Sequence, residues 1–401
     1  MARRLIFMFL CGSVASETLF AEINRREWER REERIAVSQI LEAGTARQRT
    51  VTIQMRRIRR DGGQPIILSH AVVLNNKAMR ELGHSLWEKG FDVWLPNMRG
   101  HGSADELSRV EPYFEGDYGF DKIVTEDWPL VLHYVCESTH QKVSILGYSM
   151  GGMTWEQYLS GVYEERGGIY QSDRLARQRA QDIKVFIGLV VPPDLEQVSD
   201  EVKFLLQPFQ TVFETPYFVP LTSTSLAPTL LSGFKKLLRD RLLGFLAKRV
   251  YDKLPHGIVE SKKLENPSED FKSLVLSGLS APHTDTIKEF MKWFYQDYAS
   301  KDGHVSYARN KKVYVPTLLV AATEDSLAPA TRILEKALLY PKEAHIQILV
   351  AQGYAHIDIH FKRGVRGMAD TLVQFLRRPL APLQTHSELG FWLLPPFGDK
   401  N

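Results

Sequence analysis

Hydrophobic residues fall along this chain in short unbroken runs, separated by stretches in which they recur every three or four positions. The runs are "PIILSH", "FDVWLP", "KVSILG", "IKVFIGLVV", "PTLLVAA" and "HIQILV". A short apolar run without alternation suits a strand covered on both faces. Helical periodicity lies between them, over 76–89, 120–136, 150–163, 330–339 and 356–377. This alternation predicts an α/β fold, a mostly parallel central sheet flanked by helices.

Two regions read differently. "TVTIQMRRIRR" alternates like a half-exposed strand and stops at the turn signal Asp61-Gly62-Gly63. Ahead of it, residues 16–44 set glutamates and arginines one helical turn apart, which predicts a solvated helix. Strand signals are missing from 192 to 310, where aromatics, leucines and prolines crowd "LLQPFQTVFETPYFVPLTSTSLAPTLL" and "EFMKWFYQDYAS". A stretch this long between two strands of one sheet must fold on its own. We expect an inserted helical cap over the carboxyl ends of the strands, where open parallel sheets bind ligands. The expected organisation is a leader at 1–15, core at 16–191, cap at 192–310 and core again at 311–401.

Composition narrows the classes. With 401 residues, 44% hydrophobic and 25% charged, the chain reads as a soluble globular protein with ample core. A net charge of +3, without a basic stripe interleaved with aromatics, argues against nucleic acid as a partner. Cys11 and Cys136 are too few for a disulfide framework and lack metal-ligand spacing, and no metal or organic cofactor has a motif. The opening "MARRLIFMFLCGSVASETLF" joins two arginines to an apolar run and to small residues at Ser13 and Ala15, the grammar of an export leader. The run is too short to span a bilayer. Export is the expectation, with a cytoplasmic protein that keeps a buried N-terminal helix as the alternative.

The candidate chemistry starts at Gly147-Tyr148-Ser149-Met150-Gly151, a G-x-S-x-G between a predicted strand and a predicted helix. A sharp turn there lifts the serine hydroxyl above the sheet and makes the Met150 N–H a ready donor to an oxyanion. A serine hydroxyl needs a base within hydrogen-bond reach, and the base needs an orienting carboxylate. Both should follow later strands. "VPTLLVAATEDSLAPA" delivers Glu324 and Asp325 before a helix, and the shorter Asp325, followed by "SLAP", suits a turn pointing back over the sheet. Of the later histidines, His345 precedes a strand, His386 sits in a proline-rich tail, and His360 falls one helical turn after His356. His356 alone occupies the loop that leaves the last strand at its carboxyl end. A second oxyanion donor should come from "SHAVVLNN", through the backbone N–H of Val72 or Ala71, with His70 structural in that turn.

With these residues in place the chain resembles the α/β-hydrolases, and within them the acid-lipase branch of gastric and lysosomal lipases. "FDVWLPNMRGHG", "YGFDKIVTEDWPLVLHYV", "SAPHTDTIKEFMKWFYQ", "VPTLLVAATEDSLAP" and "GYAHIDIHF" are similar to segments of that branch, from about 65 to 377, with the middle of the cap unmatched. The resemblance implies an α/β-hydrolase fold, a Ser149–His356–Asp325 triad, and Val72 and Met150 as the oxyanion amides. It also implies hydrolysis of carboxylic esters without a metal or organic cofactor. Small-molecule or lipid esters would be the substrates, with transient contact to a lipid surface, and the apolar cap favours an apolar acyl chain. The chain departs from the branch at Tyr148 and Met150, where the lipases carry histidine and glutamine, and at Ala71, where glycine follows the histidine. Acyl transfer, thioester hydrolysis or polyester turnover would use the same triad. A hydrolase-like binding protein would leave it unused.

Overall fold

The apolar runs become the middle of one sheet. The computed structural model describes residues 29–43, 47–103, 105–114, 116–196, 278, 280, 282–309, 311–381, 383 and 391–393. Its strands are β1 (Glu32–Ala43), β2 (Arg47–Ile58), β3 (Gln64–Ser69), β4 (Phe91–Pro96), β5 (Arg109–Glu111), β6 (Val143–Tyr148), β7 (Val162–Glu165), β8 (Gly168–Gln171), β9 (Ile183–Leu189), β10 (Thr317–Ala322), β11 (Gln347–Ala351) and β12 (Phe391–Leu393). The main sheet runs β1-β2-β4-β3-β6-β9-β10-β11-β12, with β5 beside β2, while β7 and β8 form a separate hairpin. From β4 to β11 every neighbouring pair is parallel. Antiparallel strands close both flanks. Every residue of β4, β6 and β10 is buried, as expected for strands with helices on both faces.

The helices are α1 (Arg80–Glu88), α2 (Trp128–Thr139), α3 (Met150–Leu159), α4 (Asp173–Arg179), α5 (Thr284–Lys292), α6 (Ala330–Ala337) and α7 (Lys362–Arg377). A π-helical stretch, Ile123–Asp127, leads into α2. Against it the fully buried Arg99 pairs with Asp127 and Glu126 and donates to the Asp117 carbonyl. The core runs the width of the sheet, and Trp128 stacks on Trp155 across α2 and α3, with centroids 4.4 Å apart.

The region read as a helix over 16–44 is corrected where it is described. Residues 32–43 form β1, paired with β2 from Glu32↔Ile58 to Ala43↔Arg47. Ile35, Val37 and Leu41 lie at alternate-residue spacing and turn to the core, while Ile40 on the other face is exposed. The apolar spacing admitted either period, and pairing with the neighbouring strand decides it. Two helices are shorter than expected. α3 stops at Leu159 because β7 begins at Val162, and α7 begins at Lys362 rather than 356, after a 3-10 turn over Asp358–His360.

Most of the expected cap, 197–277, lies outside the described residues, as do the expected leader at 1–15 and His386. The chain leaving that region is held to the core by aromatic packing on Phe120: Trp293 meets it edge to face at 5.0 Å, and Tyr298 meets it edge to face at 6.0 Å. Cys136 is a free, half-buried cysteine, and burial pushes its thiol up to about 11.

Candidate active site

β6 ends at Tyr148, α3 starts at Met150, and Ser149 between them takes φ 51°, ψ −120°. A side chain there costs on the order of 1–3 kcal/mol of strain, which the surroundings must repay. They do so through contacts that tolerate only glycine. A Cβ on Gly147 would lie 2.4 Å from the Gly152 Cα, and one on Gly152 would lie 2.2 Å from the Val191 Cγ2. The strand and the helix are thus pressed together at their junction, with the Ser149 N–H donating to the Leu189 carbonyl at 2.9 Å. The serine side chain sits at the carboxyl edge of the sheet, ahead of the first turn of α3. The N–H groups of that turn, Met150 among them, have no acceptor within the helix.

The acid and the histidine arrive on two loops that are joined to each other. The Thr323 N–H donates to the Ala351 carbonyl at 3.1 Å, Glu324 N–H to Tyr354 at 3.0 Å, and Gly353 N–H to the Thr323 hydroxyl at 2.7 Å. This places Asp325 beside His356. The Asp325 Oδ2 lies 2.7 Å from the His356 Nδ1, and the His356 Nε2 lies 3.0 Å from the Ser149 Oγ. All three residues are buried. Asp325 accepts on its other oxygen from the Leu327 and Ala328 N–H groups, both at 2.8 Å, which fixes its rotamer. A carboxylate on Nδ1 puts the imidazole proton there and leaves Nε2 as an acceptor for the serine O–H. Glu324, the competing acid, is exposed, and its carboxylate accepts from Thr323 instead. His345 sits before β11, at the opposite end of the strand from the site.

The loop after β3 lies against the elbow. A Cβ on Gly151 would fall 2.6 Å from the His70 carbonyl oxygen and 2.8 Å from the Ser69 hydroxyl. Residues 71–74 form a turn closed by the Leu74 N–H on the Ala71 carbonyl at 3.1 Å. The Val72 N–H, at the apex, makes no hydrogen bond among the described residues. Ala71 keeps a negative φ, so this loop has no need of the glycine found in the acid lipases. His70 is fully buried, and burial pushes its imidazole well below its usual range; it accepts from the Met98 N–H at 3.2 Å and donates from Nδ1 to the Ala71 carbonyl at 2.9 Å.

Two neighbours of this site make contacts that the sequence does not announce. The Tyr148 hydroxyl donates to the His356 carbonyl at 3.0 Å, and Asp358 accepts from the Ala355 N–H at 2.9 Å, so both hold the histidine loop. Burial near Asp325 and Asp358 pushes the Tyr148 phenol well above its usual range and keeps it a donor. Adjacency to Ser149 was the one available signal for Tyr148, and Asp358 had only its nearness to His356.

Comparison with known proteins bears on the fold. The family profile described as the α/β hydrolase fold matches residues 64–161, which include the elbow. Triacylglycerol lipase 2 of Arabidopsis thaliana is 30% identical over 101 residues, 23% of this chain and 24% of that protein. Lipase member M of Mus musculus is 30% identical over 106 residues, 24% and 25% of the two chains. Sterol esterase 2 of Saccharomyces cerevisiae is 24% identical over 172 residues, 40% and 31%. The chain thus spans about a quarter to a third of the length of these relatives. Among solved structures, an esterase from Thermogutta terrifontis superposes with a TM-score of 0.52 at 14% identity, over 87% of this chain and 100% of the other. The chain has the α/β-hydrolase fold, and its distant relatives are members of the acid-lipase family.

Proposed function

We propose that the protein is a serine carboxylic-ester hydrolase. The observation that carries this reading is the buried line from Asp325 through His356 to Ser149, with spacings of 2.7 Å and 3.0 Å. Ser149 Oγ attacks the acyl carbon while its proton passes to His356 Nε2, and the carbonyl π electrons move onto the oxygen. The N–H groups of Met150 and Val72 receive that oxyanion. Collapse of the tetrahedral intermediate expels the alcohol, which takes the proton back from His356, and leaves an acyl-serine. Water, deprotonated by the same imidazole, attacks the acyl-serine, and collapse of this second tetrahedral intermediate breaks the acyl–Oγ bond as His356 returns the proton to Ser149 Oγ, releasing the acid. Asp325 holds the imidazole tautomer and offsets its charge while it carries the second proton.

The substrate reading rests on the relatives and on composition. Lipase and sterol-esterase relatives support lipid esters, and the aromatic and leucine-rich stretch within 192–310 supports an apolar acyl chain bound beneath a cap. The test is hydrolysis of a chain-length series of chromogenic esters by the wild type and Ser149→Ala. Activity on medium or long chains, lower by ~10⁴ or more in the variant, is the expected result. A folded wild type that cleaves no ester and takes up no serine-directed phosphonate would remove the proposal.

A further inference from the structure

Three successive carbonyls of the turn after β3 are each held from outside the turn. The Ala71 carbonyl accepts from His70 Nδ1 at 2.9 Å, the Val72 carbonyl faces His101 Nε2 at 2.7 Å, and the Val73 carbonyl accepts from the Ser280 N–H at 2.9 Å. The Asn75 N–H donates to the Gly278 carbonyl at 2.8 Å, so residues 278 and 280 brace the same turn. Ser280 is in turn tied to the loop of His101, because its hydroxyl accepts from the Gly102 N–H at 3.0 Å. All three side chains are buried, and the His70 and His101 rings lie 4.9 Å apart.

His101 is the member of this junction that acts on Val72 itself. Its Nδ1 faces the Arg99 carbonyl at 3.0 Å, so both ring nitrogens look at acceptors, and a neutral ring can donate to one of them alone. The contact to Val72 is the shorter of the two. Burial lowers the imidazole's affinity for a second one.

We propose that His101 is a positioning residue for the oxyanion loop, its Nε2–H gripping the Val72 carbonyl so that the Val72 N–H stays directed to the developing oxyanion. The proposal rests on the ester-hydrolase reading above. A donor that must already be aimed before charge develops gains its effect from that fixed aim. Loss of the grip therefore acts on the transition state and spares ground-state binding of the ester.

The test combines one measurement on the wild type with two variants. In full-length protein labelled with ¹⁵N-histidine, the His101 ring, assigned by through-bond correlation, should carry its proton on Nε2; a bare Nε2 overturns the proposal whatever the activity. His101→Ala should lower kcat on a p-nitrophenyl ester on the order of 10- to 100-fold with KM nearly unchanged, and should speed amide exchange in 71–75. His101→Gln, whose side-chain amide can still donate, should recover most of the kcat. An active wild type whose His101→Ala keeps kcat, or loses it with no change in exchange at 71–75, overturns the proposal and leaves the hydrolase reading standing. A wild type without ester hydrolysis or phosphonate uptake removes that reading, and the proposal with it.

Discussion

The hydroxyl of Tyr148 donates to the main-chain carbonyl of His356 at 3.0 Å, so the residue before the candidate nucleophile holds the loop that presents the candidate base. The two ends of the reacting pair are tied by a bond that does not pass through the reacting atoms. Tyr148→Phe keeps the ring and its packing and removes only the donor. A buried carbonyl left without this partner costs on the order of 1–2 kcal/mol, which thermal unfolding would register. We expect kcat on a chromogenic ester to fall roughly 3- to 30-fold with KM little altered, because a misplaced imidazole impairs proton transfer more than binding.

Asp325 and Glu324 are neighbours with opposite surroundings. Asp325 faces His356 Nδ1 at 2.7 Å, whereas Glu324 is exposed beside Thr323. Asp325→Asn replaces an acceptor with an amide that cannot offset an imidazolium and that can turn an N–H toward Nδ1. Steady-state assays should show kcat down by about 10³–10⁴, as when a triad loses its carboxylate. Glu324→Gln should stay within roughly threefold of the wild type. Equal losses in the two variants would refute the assignment of the acid.

Local sequence is informative where a motif and its flanking elements lie close together in the chain. Continuous apolar runs announce strands buried on both faces, and a serine between glycines announces a turn in which a Cβ cannot be tolerated, as Gly147 and Gly152 demonstrate. A side chain's position in the loop after a strand is legible in the same way, which is why Asp325 and His356 could be named together. β1 was illegible because "ERIAVSQILEA" fits two periods and its partner strand decides between them. The contacts of Tyr148 with His356 and of His101 with Val72 span 208 and 29 residues, and no local pattern encodes them.

Behind the elbow, Glu156 on α3 is buried with two ammonium groups, Lys311 at 2.9 Å and Lys336 at 2.7 Å, and with the Tyr340 hydroxyl. Burial pushes Lys336 down and Glu156 holds it up. One carboxylate therefore joins α3, the helix after the acid loop and the chain entering β10. Glu156→Gln leaves two cations buried without a counter-charge, and chemical denaturation should show a loss of ~3–5 kcal/mol. Adding Lys336→Met should return part of that loss, because it removes one of the orphaned charges. A single variant as stable as the wild type would show that water already reaches these lysines.

Glu289 on α5 offers a test by pH. Burial, with the charge of Asp121 as the next cause, raises its carboxyl from the ordinary 4.5 to about 8, while the Phe120 N–H donating to it opposes the shift. In the unfolded chain the same group titrates near its ordinary value. Below 4.5 both states hold the proton and the protonated group contributes its full stability. As pH rises from 4.5 toward 8 the unfolded state releases a proton that the folded state retains, so stability falls, and the slope ends once the folded carboxyl ionises. Asp121, also raised by burial, adds to the same trend, although the Tyr307 hydroxyl donates to it. Glu289→Gln keeps an oxygen for the Phe120 N–H and has no proton to lose. Measured by denaturant unfolding from pH 5 to 9, the variant should gain on the wild type by a few kcal/mol across that range, with the midpoint temperature following the same trend. Parallel pH profiles for the two proteins would mean that Glu289 is ionised in the folded state and solvated where it meets α2's approach.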